Sequence, residues 1–127
     1  MPEKFTNSVT KIYKLDYNLI MYKLKEYGIK CENKGSLLTI LIGSLARGDY
    51  TPFSDADIII ITKSRLNIID FMDTDMPVDI EPRLYTLNEI LNMSKEKRKI
   101  IYEIIKNGIL LSGNKDLMKK INDIYYG

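Results

Sequence analysis

Three short apolar runs and four stretches of helical periodicity set the frame of this chain. Leu37-Leu38-Thr39-Ile40-Leu41-Ile42 has the length and β-branched content of a buried strand rather than a helix. Ile58-Ile59-Ile60-Ile61 reads as a second, central strand, and Ile109-Leu110-Leu111-Ser112 as a short closing one after Gly108. Val78-Asp79-Ile80-Glu81 alternates apolar with acidic, the pattern of a strand with one buried face and one solvated or functional face. Pro82 suits an edge or a strand end, and Arg83-Leu84-Tyr85 carries the strand out. Before the first run, Ile12, Leu15, Leu19 and Tyr22 recur at three- and four-residue spacing and predict an amphipathic helix from about Thr6 to Tyr27, ended by Gly28. Tyr13, Tyr17 and Tyr27 widen its stripe, which is read as core packing with a partner-binding face as the alternative. Thr86-Leu87-Asn88-Glu89 is a capping box that opens a short helix through about Met93. Ile100, Ile101, Ile104 and Ile105 mark a helix over 95–106, and Asn114 caps a last one holding Leu117, Ile121 and Ile124. Residues 62–76 read as a short helix or helical turn followed by a loop that Pro77 ends. This order predicts an α/β (α+β) domain with a small mixed β-sheet and helices packed on it.

The 127 residues form one domain, large enough to bury a core without disulfides or a structural metal. One cysteine, Cys31, and no histidine exclude a disulfide framework, a His/Cys zinc site and any His-based acid-base or triad chemistry. Any catalysis therefore rests on carboxylates. Nothing near Cys31 in sequence suggests an activated thiolate, although Lys30 is adjacent. No stretch reaches the roughly eighteen apolar residues of a membrane span, and Met1-Pro2-Glu3-Lys4-Phe5 lacks the apolar core of a signal peptide, so a cytoplasmic setting is expected. Nineteen basic against seventeen acidic residues leave a net charge of +2, which gives no argument for a broad nucleic-acid footprint. The basic cluster Lys95, Lys97, Arg98 and Lys99 is either a solvated helix end or a phosphate or tRNA contact. Asp70, Asp73 and Asp75 fall at irregular spacing and read as solvated surface rather than a metal site.

The chemistry concentrates between the first two strands, in Gly43-Ser44-Leu45-Ala46-Arg47-Gly48-Asp49-Tyr50-Thr51-Pro52-Phe53-Ser54-Asp55-Ala56-Asp57. Gly43 lets the backbone turn sharply and approach a ligand closely, while Ser44 supplies a hydroxyl and can cap a following helix, whose N–H groups attract phosphate. Asp55 and Asp57 open the next strand. Side chains two apart on a strand share a face, so the pair projects together beside the turn and can chelate Mg²⁺. Two such ions can clamp an in-line phosphoryl displacement. Arg47 either contacts the phosphates or forms an exposed salt bridge.

These residues resemble the nucleotidyltransferase superfamily that includes DNA polymerase beta, and within it the minimal nucleotidyltransferases. Their signature is Gly-Ser, about ten residues, then Asp-x-Asp. Gly43-Ser44 and Asp55-x-Asp57 match it with ten residues between, and Ala46, Arg47, Gly48 and Ser54 stand where the minimal enzymes commonly have them. The resemblance extends over about 37–113, most closely over 43–57. It implies a polymerase-beta-like fold, a triphosphate on Gly43 and Ser44, and two Mg²⁺ on Asp55 and Asp57. It also implies a third carboxylate from the next strand, in an apolar-Asp-apolar setting. Asp79 is the position that matches, with Glu81 as second choice. The activity implied is transfer of a nucleoside monophosphate, AMP from ATP, to a hydroxyl. The minimal enzymes are often paired with a small helical HEPN protein, and in several pairs a tyrosine of that partner is adenylylated. The alternatives are transfer to a small molecule, or a catalytically silent module that binds nucleotide or partner. The oligomeric state stays open between homo- and hetero-oligomer.

Overall fold

The apolar runs at 37–42 and 58–61 pair antiparallel as the middle of a four-stranded mixed sheet in a computed structural model that describes residues 2–127, with side chains from Tyr17 onward. The elements run α1 (Pro2–Asn33), β1 (Ser36–Ile42), α2 (Ser44–Arg47), β2 (Ala56–Thr62), a 3₁₀ turn (Ile68–Phe71), β3 (Ile80–Thr86), α3 (Leu87–Lys95), α4 (Lys99–Asn107), β4 (Ile109–Gly113) and α5 (Lys115–Tyr126). The strand order is β3-β2-β1-β4, with β1 antiparallel to both β2 and β4, and β3 parallel to β2. Pro82 lies within β3, and β3 is an edge strand, where a missing backbone N–H is tolerated.

Both faces of the sheet are apolar because both are covered. Leu41 of β1 and Ala56, Ile58 and Ile60 of β2 meet Ile20, Leu24, Tyr27 and Cys31 of α1 on one side. Leu38, Ile40 and Ile42 of β1 and Ile59 and Ile61 of β2 meet Ile90 of α3, Ile101 and Ile104 of α4 and Ile121 of α5 on the other. A strand buried on both faces needs a continuous apolar run rather than alternation, which is why β1 and β2 are legible as strands. The parity along β2 also fixes the direction of its acidic start: Asp57 shares the α4 side with Ile59 and Ile61.

Helix α1 differs from the expected element in two ways. It runs on to Asn33, and the turn falls at Lys34 and Gly35, not at Gly28. Its buried stripe is Ile20, Leu24, Tyr27 and Cys31, while Leu19 and Tyr22 of the expected stripe are exposed at 46 % and 63 %. Two apolar stripes overlap on this helix, and the one that meets the sheet is buried. Ile12, Tyr13 and Leu15 lie outside the described side chains. Gly28 does not end the helix; it is the point where α1 crosses β4, since a Cβ there would stand 2.9 Å from Leu111 Cβ and 3.0 Å from the Leu111 carbonyl. Ser112 Oγ donates to the Gly28 carbonyl at the same crossing, 2.7 Å away. Gly28→Ala, which helix propensity alone favours, is accordingly expected to destabilise by about 1–3 kcal/mol through overpacking, read as a lower midpoint in urea.

The remaining elements follow their local signals closely. Thr86 and Glu89 form the capping box, with Glu89 N–H donating to Thr86 Oγ1 (3.2 Å) and Thr86 N–H donating to Glu89 Oε1 (2.9 Å). Asn114 Oδ1 accepts from Asp116 N–H at the start of α5. The helix expected over 95–106 begins only at Lys99, because Lys97 takes a positive φ of 56° and separates α3 from α4. β3 starts at Ile80, two residues later than its alternation suggests. Cys31 is buried, and burial pushes its thiol up, which agrees with an inert packing role.

Candidate active site

The site lies where β1 and β2 end against the N-terminal part of β3. Ile42 pairs with Asp57 across the antiparallel ladder, so Gly43, the next residue, leaves the sheet beside that aspartate. A Cβ on Gly43 would stand 2.3 Å from Asp57 Oδ2, and Gly43 has φ +80°, in the region that favours glycine. The Gly43 carbonyl accepts from the N–H groups of Ala46 and Arg47, which folds Ser44–Arg47 into a single helical turn closed by Gly48 at φ +90°. Ser44 Oγ donates to Ser54 Oγ (3.0 Å), and Thr51 N–H donates to the same Ser54 oxygen (2.8 Å). The two ends of the loop between the strands are thus tied through hydroxyls at its mouth. In the sequence Ser54 is marked only by the family resemblance; its tie to Ser44 depends on the loop's closure.

The parallel pairing of β2 with β3 sets Ala56 opposite Ile80 and Asp57 opposite Glu81. Glu81 therefore stands on the same side of the sheet as Asp57, one strand over. Asp55 lies one residue ahead of β2 at matching parity. The three side chains interact: the Glu81 carboxyl is raised from its ordinary value, first by a hydrogen bond with Asp55 and by that residue's charge, then by the charge of Asp57 and a hydrogen bond with it. Asp79 is placed differently. It lies ahead of β3 with an exposed side chain, its backbone carbonyl accepts from Ala56 N–H at 2.8 Å, and it is absent from the groups that raise Glu81. Together with Asp55, Pro52, Phe53, Pro77 and Val78 it lines a cavity of about 330 Å³. Phe53 on the rim of that cavity is 92 % exposed.

Among the described residues, no group of three or more Asp, Glu, Cys or His side chains is gathered tightly enough to hold a metal ion by itself. Asp55, Asp57 and Glu81 instead form an open anionic cleft. That fits Mg²⁺, which binds through one or two carboxylates and takes its other ligands from water and substrate phosphates. It does not fit a closed cage of protein ligands.

Arg47 does not point freely into the cleft. Its Nη1 donates to Glu103 Oε1 of α4 at 2.9 Å, and its Nε stands 3.4 Å from Asp49 Oδ2. Two members of the basic cluster, Lys97 and Arg98, make contacts within the chain. Lys97 Nζ donates to the Tyr125 carbonyl and lies 5.0 Å from the centre of that ring, and Arg98 Nε is 3.4 Å from Glu96 Oε1. Asp73 faces Lys30 at 3.9 Å.

A model of the family described as "Polymerase beta, Nucleotidyltransferase" matches residues 23–117, three-quarters of the chain, and the chain belongs to that family. It is a nucleotidyltransferase with a polymerase-beta-like fold. No curated protein sequence matches it. Among solved structures it is similar to one described as "Crystal structure of the toxin-antitoxin with AMP-PNP", at 19 % identity and a TM-score of 0.55, over 80 % of this chain and 86 % of that one. At that identity the likeness is one of fold. No helix among the described residues is long and apolar enough to cross a membrane.

Proposed function

We propose that the chain transfers a nucleoside monophosphate, AMP from ATP, to a hydroxyl of a partner protein, with Asp55, Asp57 and Glu81 as the working carboxylates. The observation that carries this reading is the β2-β3 register, which sets Glu81 beside Asp57 at the strand ends where Gly43 turns away. In this reading the triphosphate rests on Gly43, Ser44 and Arg47. Asp55 and Asp57 would hold Mg²⁺, in two ions, which would supply charge neutralisation at the phosphates.

The protein's own part is positioning and proton handling. Gly43 admits the phosphates because nothing projects from it toward Asp57. The Ser44–Ser54 tie keeps the loop mouth shaped before substrate arrives. Glu81, set opposite Asp57 on the neighbouring strand, is the carboxylate placed to receive a proton from the attacking hydroxyl. The bonds balance simply: the acceptor oxygen bonds to the α-phosphorus, the bond to the β-phosphate oxygen breaks, pyrophosphate leaves and the hydroxyl proton goes to a carboxylate.

Glu81 takes the role that the sequence pattern offered first to Asp79. The two are separable by substitution. Glu81→Gln is expected to lower the transfer rate by about 10²-fold or more, and Asp79→Asn to leave it within a few-fold, measured at saturating nucleotide. The opposite ranking returns the role to Asp79.

The partner reading draws on the similar structure, which its description gives as a toxin-antitoxin assembly with an ATP analogue. That likeness supports a protein partner and a nucleotide; the acceptor in our reading, a tyrosine of a small helical HEPN-type toxin with this chain as the antitoxin, comes from the resemblance to the minimal nucleotidyltransferases. The test is intact-mass spectrometry of the protein encoded beside this one, after incubation with this chain, Mg²⁺ and each of the four nucleoside triphosphates. A gain of one or more nucleoside monophosphate masses identifies donor and acceptor together, and fragmentation locates the residue. An unmodified partner in a tight complex overturns the transfer reading for that pair.

A further inference from the structure

The donors that the proposed function assigns to the phosphates already hold an anion. Glu103 projects from α4, sixty residues away in sequence, and one oxygen of its carboxylate, Oε1, accepts both Gly43 N–H at 3.1 Å and Arg47 Nη1 at 2.9 Å. The contact is directed. Ile101 and Ile104 of the same helix are buried against the sheet, and their burial fixes the rotation of α4 that carries Glu103 to the Gly43 end of β1. Both Glu103 and Arg47 are partly open to solvent, with side-chain exposures of 31 % and 40 %, so the pair is accessible to a competing anion. Asp49 adds a second, longer ion pair to the same guanidinium, at 3.4 Å, without touching the Gly43 amide.

We propose that Glu103 is a resident counter-anion of the phosphate seat: in the free protein it holds the Gly43 amide and Arg47 in place, and it gives them up when a triphosphate binds. The inference rests on the reading of Gly43 and Arg47 as triphosphate contacts. Its physical basis is that one N–H and one guanidinium N–H cannot serve a carboxylate and a phosphate oxygen at full strength together, and the charge-assisted bond to Arg47 is the stronger of the two contacts. The free protein gains order at the Gly43-Ser44 turn from this contact. The apparent affinity for nucleotide is lowered by the fraction of molecules in which the carboxylate is in place. Glu103 thus sets how much triphosphate the site requires, while Asp55, Asp57 and Glu81 set what happens to it. Glu103 is a positioning residue in this scheme.

The experiment is calorimetric titration of Mg-ATP into the full chain as wild type, Glu103→Gln, Arg47→Ala and the double variant, with melting temperatures as a control on folding. Glu103→Gln keeps the shape and removes the charge, and it is expected to tighten Mg-ATP binding by about twofold to fivefold, the range open to a partly exposed ion pair. The gain should shrink in the Arg47→Ala background, because the carboxylate and the phosphate then no longer compete for a guanidinium and only the Gly43 amide is left between them. Equal or weaker binding by a folded Glu103→Gln variant overturns the proposal and leaves Glu103 as a brace. The wild-type protein gives an answer that needs no variant: the Gly43 amide and Arg47 Nη resonances should move on addition of Mg-ATP, and resonances that stay fixed while ATP binds elsewhere overturn it as well. Wild type that binds ATP without any effect of Glu103 counts against this inference alone. If neither wild type nor Glu103→Gln binds ATP, the nucleotide-transfer reading falls with it.

Discussion

Replacing Asp55 and Asp57 by asparagine is expected to abolish nucleotidyl transfer, each single change lowering the rate by about 10³-fold, while the protein stays folded. Asp57 lies at the start of β2 and Asp55 stands just ahead of the strand, and both act on Glu81. Loss of either removes a hard anionic ligand from a cleft that has no surplus of them. Charge neutralisation at the phosphates contributes several kcal/mol to reactions of this kind. At about 1.4 kcal/mol per tenfold, that corresponds to roughly three decades in rate. The stability effect has the opposite sign. Glu81 is raised by both aspartates, so each substitution relieves a like-charge repulsion in the folded state, and the melting temperature should hold or rise. Transfer assays and thermal melts on the same preparations separate the two effects. A variant that is both inactive and unfolded leaves the cleft's role unproven, and an active double variant contradicts the site.

The second large effect is expected from Gly43→Ala, a change of one methyl group. The residue sits at φ +80°, and the added Cβ would fall 2.3 Å from Asp57 Oδ2 and 3.2 Å from Asp57 Cγ. Backbone strain of about 1–3 kcal/mol accompanies a non-glycine residue in such a conformation. The methyl also displaces the Asp57 carboxylate, and misplacement by about 1 Å can cost around 10²-fold in rate. Gly43→Ala should therefore lose about 10²-fold in transfer together with a measurable drop in melting temperature. Gly48→Ala is the contrast: its φ of +90° carries strain, yet nothing lies within 4 Å of the new Cβ, so it should lose stability with little loss of rate.

Most of this fold was legible because its strands are buried on both faces. Such strands appear as the unbroken runs 37–42 and 58–61, and the Thr86 and Asn114 caps announce their helices within four residues of sequence. The Gly-Ser and Asp-x-Asp pattern was legible for a similar reason, since its parts lie within a single loop between two such strands. What was not legible depends on partners distant in the chain. Gly28 reads as a helix end until β4 is known to cross it at Leu111. The stripe through Leu19 and Tyr22 is as regular as the one through Ile20 and Leu24, and only the position of the sheet separates them. Asp79 and Glu81 share a face in any extended reading, and only the inter-strand register shows that Glu81 lies opposite Asp57 while Asp79 falls ahead of the strand. Glu103 carries no local signal, because its meaning comes from Gly43 and Arg47, delivered from the other end of the domain.

The central claim is that the α-phosphate, with its nucleoside, is what moves. The most direct measurement incubates this chain and the protein encoded beside it with Mg²⁺ and ATP labelled in parallel at the α- or the γ-phosphate, and follows label in protein. Label from the α-position alone, dependent on Mg²⁺ and lost in Asp57→Asn, is the predicted result. Label from the γ-position, or α-label that persists in Asp57→Asn, contradicts the account.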